Sequence, residues 1–440
     1  METEDVTVRE QLFHNRVRET IICVLLFVCL YILSHFILTH FKKNAEFVAD
    51  DIEDATVNKI ALWLCTFTLS VAVCAVLLLP ISILSNEVLL TFPHSYYMQW
   101  LNGSLIRGLW NLVFLFSNLS LVFLMPFAYF FTESEGFAGS KKGIMARVYE
   151  TAVMLLLLSL LVLGIVWVAS ALLHHNTARE SLYDLWEYYL PYLYSGISLF
   201  GVLLLLCKFL FVFKSFDVNV YVQSKRIALG TNMPLRVLNA SVSYHELLFI
   251  LPASIIELRK RASPWQRNLG YPVAMLLLLA LTAVSALMVC FHVLELLFDE
   301  SAMPRGMEDP HLGLASFSMF GSLGAAVQVV IILYLMVSSV VGFYCSPLFT
   351  GLLPRAQDTT LTQIIGNCVS LLILSSALPV FSRTLGITRF DLLGDFGRYN
   401  WLGSFHIVFL YNMLFAGLTS ACLINTVTWA LQRELIRAFG

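Results

Sequence analysis

Charge is what this chain has least of. Asp, Glu, Lys and Arg make up 13% of its 440 residues, about half the share in an ordinary soluble protein. The runs Thr20–Phe41 and 151–173 contain none of the four. A surface facing water needs far more, so a soluble globular fold is excluded. A net charge of −2 and a pI of about 6.5 leave no basic footprint for nucleic acid, which is not an expected partner. HExxH, GxSxG and P-loop patterns are also missing. Asp395-Phe396-Gly397 matches a kinase metal triplet in letters only, having no glycine-rich loop or catalytic-loop partner. No enzyme activity, cofactor or metal site is expected. The nine cysteines (Cys23, Cys29, Cys65, Cys74, Cys207, Cys290, Cys345, Cys368 and Cys422) lie in or beside apolar runs, unpaired by any zinc spacing. They read as small packing residues.

Apolar residues fill the chain instead. They make up 58% of it, and the mean hydropathy is +0.79. They fall in runs of about twenty, enough to cross a hydrocarbon core of about 30 Å at 1.5 Å per residue. Read on a window of about nineteen residues, the sequence gives nine spans: Thr20–Phe41, 60–84, 106–130, 151–173, 190–213, Tyr271–Phe298, 320–344, 361–381 and 402–428. Barrel strands alternate over about ten residues, whereas these runs are continuously apolar. The expected fold is an all-α, polytopic integral membrane bundle. Residues 1–207 hold spans one to five, 208–270 a cytoplasmic loop, and 271–440 spans six to nine with a short tail, in one integral domain. Residues 1–19 precede a run longer than a signal core, which ends at Lys42-Lys43 without a small-residue cleavage site. It is expected to remain as the first span.

An odd span count puts the termini on opposite sides, and Lys and Arg choose between them. With the amino terminus outside, Lys42, Lys43, Lys141, Lys142, Arg147, Arg355, Arg433 and Arg437 fall inside with the basic loop from Lys214 to Arg267. That loop alone creates the inward bias.

An ionisable group inside the membrane is a functional hypothesis by default. His292 and Glu295 lie one turn apart near the outer end of span six. They read either as a structural pair at the interface or as a proton or ligand site. Asn111 and Asn118 share a face of span three with Ser117 and Ser120, and with Gln328 and Asn367 they suit interhelical hydrogen bonding. Ser338-x-x-x-Gly342 and Ala416-x-x-x-Ser420 are spacings that permit close helix contact. No chain of acidic residues crosses the bundle as an ion-coupled pump would need.

The connection 382–403, SRTLGITRFDLLGDFGRYNWLG, mixes charge with aromatics. Arg383, Arg389, Asp391, Asp395 and Arg398 alternate with Leu385, Phe390, Leu392, Leu393, Phe396 and Trp401. Two readings stand: a salt-bridged cap over the bundle, or a protein-binding surface anchored by arginines and Trp401. The aromatic stretches 90–102 and 180–194 fall on the same side.

Particular strings carry a resemblance. YYMQWLNGSLIRGLWNLVFLFSNLSLVFLMPFAYFFTESEGFAGSKKG (96–143), ESLYDLWEYYLPYLYS (180–195) and SSALPVFSRTLGITRFDLLGDFGRYNWLG (375–403) closely resemble the limb region 1 membrane protein family. ASPWQRNLGYP, FYCSPLF and ELIRAFG resemble its lipocalin-interacting membrane receptor branch. The resemblance covers 1–207 and 258–440. It implies nine spans with the amino terminus outside, and a plasma-membrane receptor that binds an extracellular lipocalin and carries it inward by endocytosis. A scaffold in the endoplasmic reticulum, regulating receptor maturation and Wnt signalling components, is the second reading. A transporter is the third, disfavoured by the sparse intramembrane charge. One stretch departs from the family. Where relatives carry a charged, helix-forming insert, 208–256 is β-branched and aromatic, and reads as an alternative or misassigned exon. Broken by Gly230, Pro234 and Pro252, it offers no sustained helical face and is expected to pack poorly.

Overall fold

The computed structural model describes residues 2–43, 52–92, 103–134, 144–173, 201–202, 271–298, 322–345, 349–388 and 405–439. Among them the chain forms α1 (Glu2–Phe41), α2 (Ile52–Thr91), α3 (Gly103–Leu119), a π turn (Ser120–Leu124), α4 (Met125–Glu133), α5 (Ile144–Leu173), α6 (Tyr271–Phe298), α7 (Ser322–Cys345), α8 (Leu361–Thr384) and α9 (Phe405–Phe439). Helices are what lipid dictates, because each backbone group must find its partner within the segment. Seven helical stretches among the described residues are long and apolar enough to cross a membrane, and the apolar start of α9, Phe405–Ala421, is a shorter eighth. The fold is a polytopic membrane bundle. Of the expected fifth span only Gly201 and Val202 are described, both helical. All of 208–256 lies outside the described residues.

Boundaries differ from the hydropathy reading for a simple reason. Helical hydrogen bonding does not stop where the side chains turn polar. Thr20–Phe41 is therefore the last part of a 40-residue helix, and the second span widens to Asp54–Leu89. At 36 residues that stretch exceeds the thickness of a bilayer, so α2 tilts or projects. Span three is not one regular helix. Pro126 has no N–H, and its ring crowds the carbonyl of Val122. The chain widens into the π turn just before it, and the Met125 N–H reaches back to Ser120 O.

At the centre α2 and α8 pack side by side, with 56% and 67% of their apolar windows buried, against 6% for α5 on the periphery. Small residues permit the approach: Ala61 and Cys65 share a buried cluster with Cys368, and Ala75 shares another with Ala377. The Cys368 thiol donates to Cys65 O at 3.6 Å. Around this pair stand α1, α3 with α4, and α7, while α6 packs closely along α9.

Polar contacts tell the two ends of the bundle apart. At one end Lys43 N–H donates to Thr359 O (3.0 Å) and Thr359 N–H to Phe41 O (3.3 Å), joining the end of α1 to the start of α8. Arg147 reaches Asp54 at 2.7 Å there, joining the starts of α5 and α2. Thr360 caps α8: its hydroxyl accepts from Gln363 N–H (3.4 Å), and Gln363 Oε1 accepts from Thr360 N–H (3.1 Å). At the opposite end α6 and α8 finish and α9 begins.

Candidate functional site at the His292 end

The last turn of α8 folds its hydroxyls back onto its own carbonyls. Ser382 Oγ donates to Pro379 O (2.9 Å) and Thr384 Oγ1 to Val380 O (2.8 Å), so neither is left unsatisfied. The helix runs three residues beyond the expected 381 because its bonding continues through Thr384. It then closes in a glycine-capped turn. Gly386, at φ +69°, takes the left-handed conformation that side-chain-bearing residues avoid. Its N–H donates to Arg383 O (3.1 Å), and the Ile387 and Thr388 N–H groups donate to Ser382 O (2.9 and 3.3 Å). The hydroxyls of Ser382 and Thr388 meet at 3.0 Å. Leu385 and Ile387 are buried.

Two other helices hold this turn. Asn412 of α9, fully buried, donates from Nδ2 to Thr384 O (2.7 Å) and to Val408 O (2.9 Å). His292 of α6 lays its ring on Gly386: a Cβ there would fall within 3.0 Å of Cγ, Nδ1 and Cδ2. His292 is 6% exposed and Glu295, one turn on, is a third exposed, with Nδ1 3.9 Å from Oε2. That is beyond hydrogen-bond distance, and it becomes an ion pair only when the imidazole is protonated. Arg383 is half-buried in the last turn of α8. The structure thus brings His292, Glu295 and Arg383 to one end of the bundle. Arg389, Asp391, Asp395, Arg398 and Trp401 lie outside the described residues.

The remaining polar residues sit elsewhere. Asn367 is buried and bonded on both sides: Nδ2 donates to Leu352 O (2.7 Å), and the Tyr344 hydroxyl donates to Oδ1 (3.2 Å). Gln328 is buried in α7. Asn111 and Asn118 are half-buried in α3, and Asn111 Oδ1 has no hydrogen-bond partner. Three interhelical contacts escaped the sequence reading. One is Asn412; another is Thr282 with Tyr334, whose hydroxyls meet at 2.6 Å between α6 and α7. The third is Trp110, which donates to Ser82 at 3.0 Å. Each residue is visible as a polar atom in an apolar run, but its partner is not. Among the described residues no group of three metal-ligating side chains comes together.

Comparison with known proteins adds a family. The LMBR1-like membrane protein model matches residues 19–209 and 246–427, leaving a gap within the divergent stretch 208–256. The chain is 84% identical to the limb region 1 homolog-like protein of Danio rerio, over all of this chain and 94% of the relative. It is 64% identical to Protein LMBR1L of Homo sapiens, over 99% of this chain and 94% of that protein. Against limb region 1 protein of Mus musculus the identity is 56%, over 99% and 94%. No solved structure matches. A helical bundle built from apolar spans, matched along nearly its whole length, makes the chain a member of the LMBR1-like membrane protein family.

Proposed function

We propose that this protein is a multi-pass plasma-membrane receptor, amino terminus outside, that binds an extracellular lipocalin-type protein and carries it inward by endocytosis. The identity of the ligand class rests on the family resemblance. The observation that carries the site is the closed turn 382–388. It fixes the root of the arginine- and aromatic-rich loop with hydrogen bonds from its own residues and from Asn412 of α9, and with the His292 ring. A loop rooted in this way loses less freedom on binding, which favours affinity. Arg389, Arg398 and Trp401 supply the residue types that anchor protein interfaces.

The contacts between helix ends support nine spans. The end of α1 and the start of α8 lie together, so an even number of crossings separates them. Described crossings between them are α2, α3 with α4, α5, α6 and α7, which is an odd number. A crossing at 190–213 restores parity. Gly201 and Val202 suit that place: Gly201 lies against Ala377 of α8, and Val202 O accepts from the Tyr411 hydroxyl of α9 at 3.1 Å.

The test measures surface level and uptake separately. Surface biotinylation with and without added purified lipocalins should show the chain at the surface and its removal on ligand addition. Replacing Arg389 and Arg398 together with Ala should lower uptake about tenfold or more at normal surface level, the scale of losing interface anchors. Retention in the endoplasmic reticulum with no surface pool would favour the scaffold reading instead.

A further inference from the structure

We propose that Pro80 and Pro379 form one paired hinge across the centre of the bundle. Each lies inside a helix, α2 and α8 respectively, with its ring buried. Proline has no N–H to donate, and its ring crowds the carbonyl one turn back. Val76 O and Ser375 O therefore lose the donors that an unbroken helix would give them. Each helix gains a kink or soft point there.

The two breaks lie side by side. Helices α2 and α8 pack closely and run the same way, and the buried clusters they share fix the register. Ala61 and Cys65 go with Leu361, Ile364 and Cys368, then Val71 and Ala72 with Leu372, then Ala75 and Leu78 with Ala377 and Leu378. The Cys368 thiol on Cys65 O is a direct contact in that register. Continued outward, it sets Pro379 beside the turn of α2 that ends at Pro80. A single break is splinted by intact neighbours. Here the two central helices lack a ladder bond at the same level, so neither splints the other.

What lies beyond the hinge moves as a unit. The outer part of α2 is tied to α3 by Ser82 and Trp110, and the outer end of α8 carries the closed turn 382–388. Helix α3 has an irregular joint of its own, the π turn at its inner end. Helix α7, packed on both α2 and α8, contains no proline and forms the unbroken side of the hinge. The hinge stands on the prolines and the register alone. Its use, to let the arginine-rich loop and the aromatic stretch 90–102 shift together on ligand binding, rests on the receptor reading.

Hydrogen exchange followed by mass spectrometry, on the full chain in phospholipid nanodiscs, tests it without any ligand. In the wild type, peptides covering 76–84 and 375–384 should exchange faster than the inner parts of the same helices, 58–70 and 361–372. Pro80→Ala restores an N–H to α2, and Pro379→Ala restores one to α8. Each should slow exchange about fivefold or more on both helices, because a stiffened neighbour splints its partner. Exchange slowed only on the helix that carries the substitution overturns the pairing. No slowing in either variant overturns the hinge itself, as do wild-type segments around the prolines that exchange no faster than the inner parts. Should one variant fail to fold, the other decides the point, since its effect is read on both helices. Because no lipocalin enters the measurement, its outcome is independent of whether uptake occurs.

Discussion

The indole N–H of Trp110 donates to the hydroxyl of Ser82 at 3.0 Å, joining α3 to α2, and that hydroxyl donates onward to Leu78 O at 2.7 Å. Both residues are buried. Ser82→Ala leaves the indole N–H without its acceptor in a site closed to water. The cost expected is about 1–2 kcal/mol, at the upper end of polar contacts between membrane helices. Trp110→Phe costs more on its own, since a smaller ring leaves a void. Combined, the two should cost less than their sum, because Phe has no donor to orphan. Thermal unfolding of the four proteins in one detergent measures this, and strict additivity would show that the contact carries no coupling.

Much of this architecture was legible in hydropathy, because lipid permits so few solutions. An uncharged run such as Thr20–Phe41 has no alternative to a helix. The π turn at Ser120–Leu124 was not legible. It depends on how the ring of Pro126 is relieved, which no window average reports. The candidate site divides in the same way. Gly386 after an apolar run is a recognisable helix stop. That the ring resting on it belongs to His292, on a helix far away in sequence, follows only from tertiary packing. Asn412 stands out in its span as plainly as Asn367, yet the carbonyl of Thr384 that it serves cannot be read from side-chain types. Arg383 illustrates the other limit. Its alternation with aromatics describes a loop, whereas it lies in the last turn of a helix.

Asn412→Leu removes the amide that serves Thr384 O while keeping the volume of the side chain. The orphaned carbonyl should cost about 1–3 kcal/mol. Asn367→Leu should cost a similar amount, since it abandons both Leu352 O and the Tyr344 hydroxyl. The two differ in where the damage falls. Hydrogen exchange should rise at 382–388 in the first variant and around Leu352 in the second. Exchange rising at both places in either variant would mean that the bundle loosens as a whole.

Gly386→Ala should be worse tolerated than any other substitution of a described glycine at a helix end. It combines the left-handed backbone, costing about 1–3 kcal/mol for a residue with a side chain, with collision against the His292 ring. The companion change His292→Ala clears the ring but leaves the backbone strain, so it should recover only part of the loss. Complete recovery would assign the whole effect to the ring, and no recovery would assign it to the backbone. Thermal unfolding of the single and double variants distinguishes these.

Arg147 and Asp54 approach at 2.7 Å, but the Asp54 side chain is 43% exposed. Solvent screening then limits such a pair to about 0.2–1 kcal/mol. Asp54→Asn should therefore shift the unfolding temperature only slightly, and added salt should shrink even that shift. A large, salt-insensitive loss would show that Asp54 does something other than pair with Arg147.

The final prediction concerns which way the termini face. The end of α1 joins the start of α8, Gly386 at the close of α8 meets His292 near the end of α6, and Asn412 near the start of α9 meets Thr384. Since α1 ends where α8 starts, it begins at the end where α8 finishes. Helix α9 begins at that same end and runs away from it. Epitope tags at Met1 and Gly440 should therefore lie on opposite faces of the membrane. On the proposed orientation the α1–α8 junction, which carries Lys42, Lys43, Arg147 and Arg355, lies inside. The Met1 tag should stain intact cells and the Gly440 tag only permeabilised ones. Both tags on one side would break the odd parity, and the reverse pattern would keep the parity but invert the orientation.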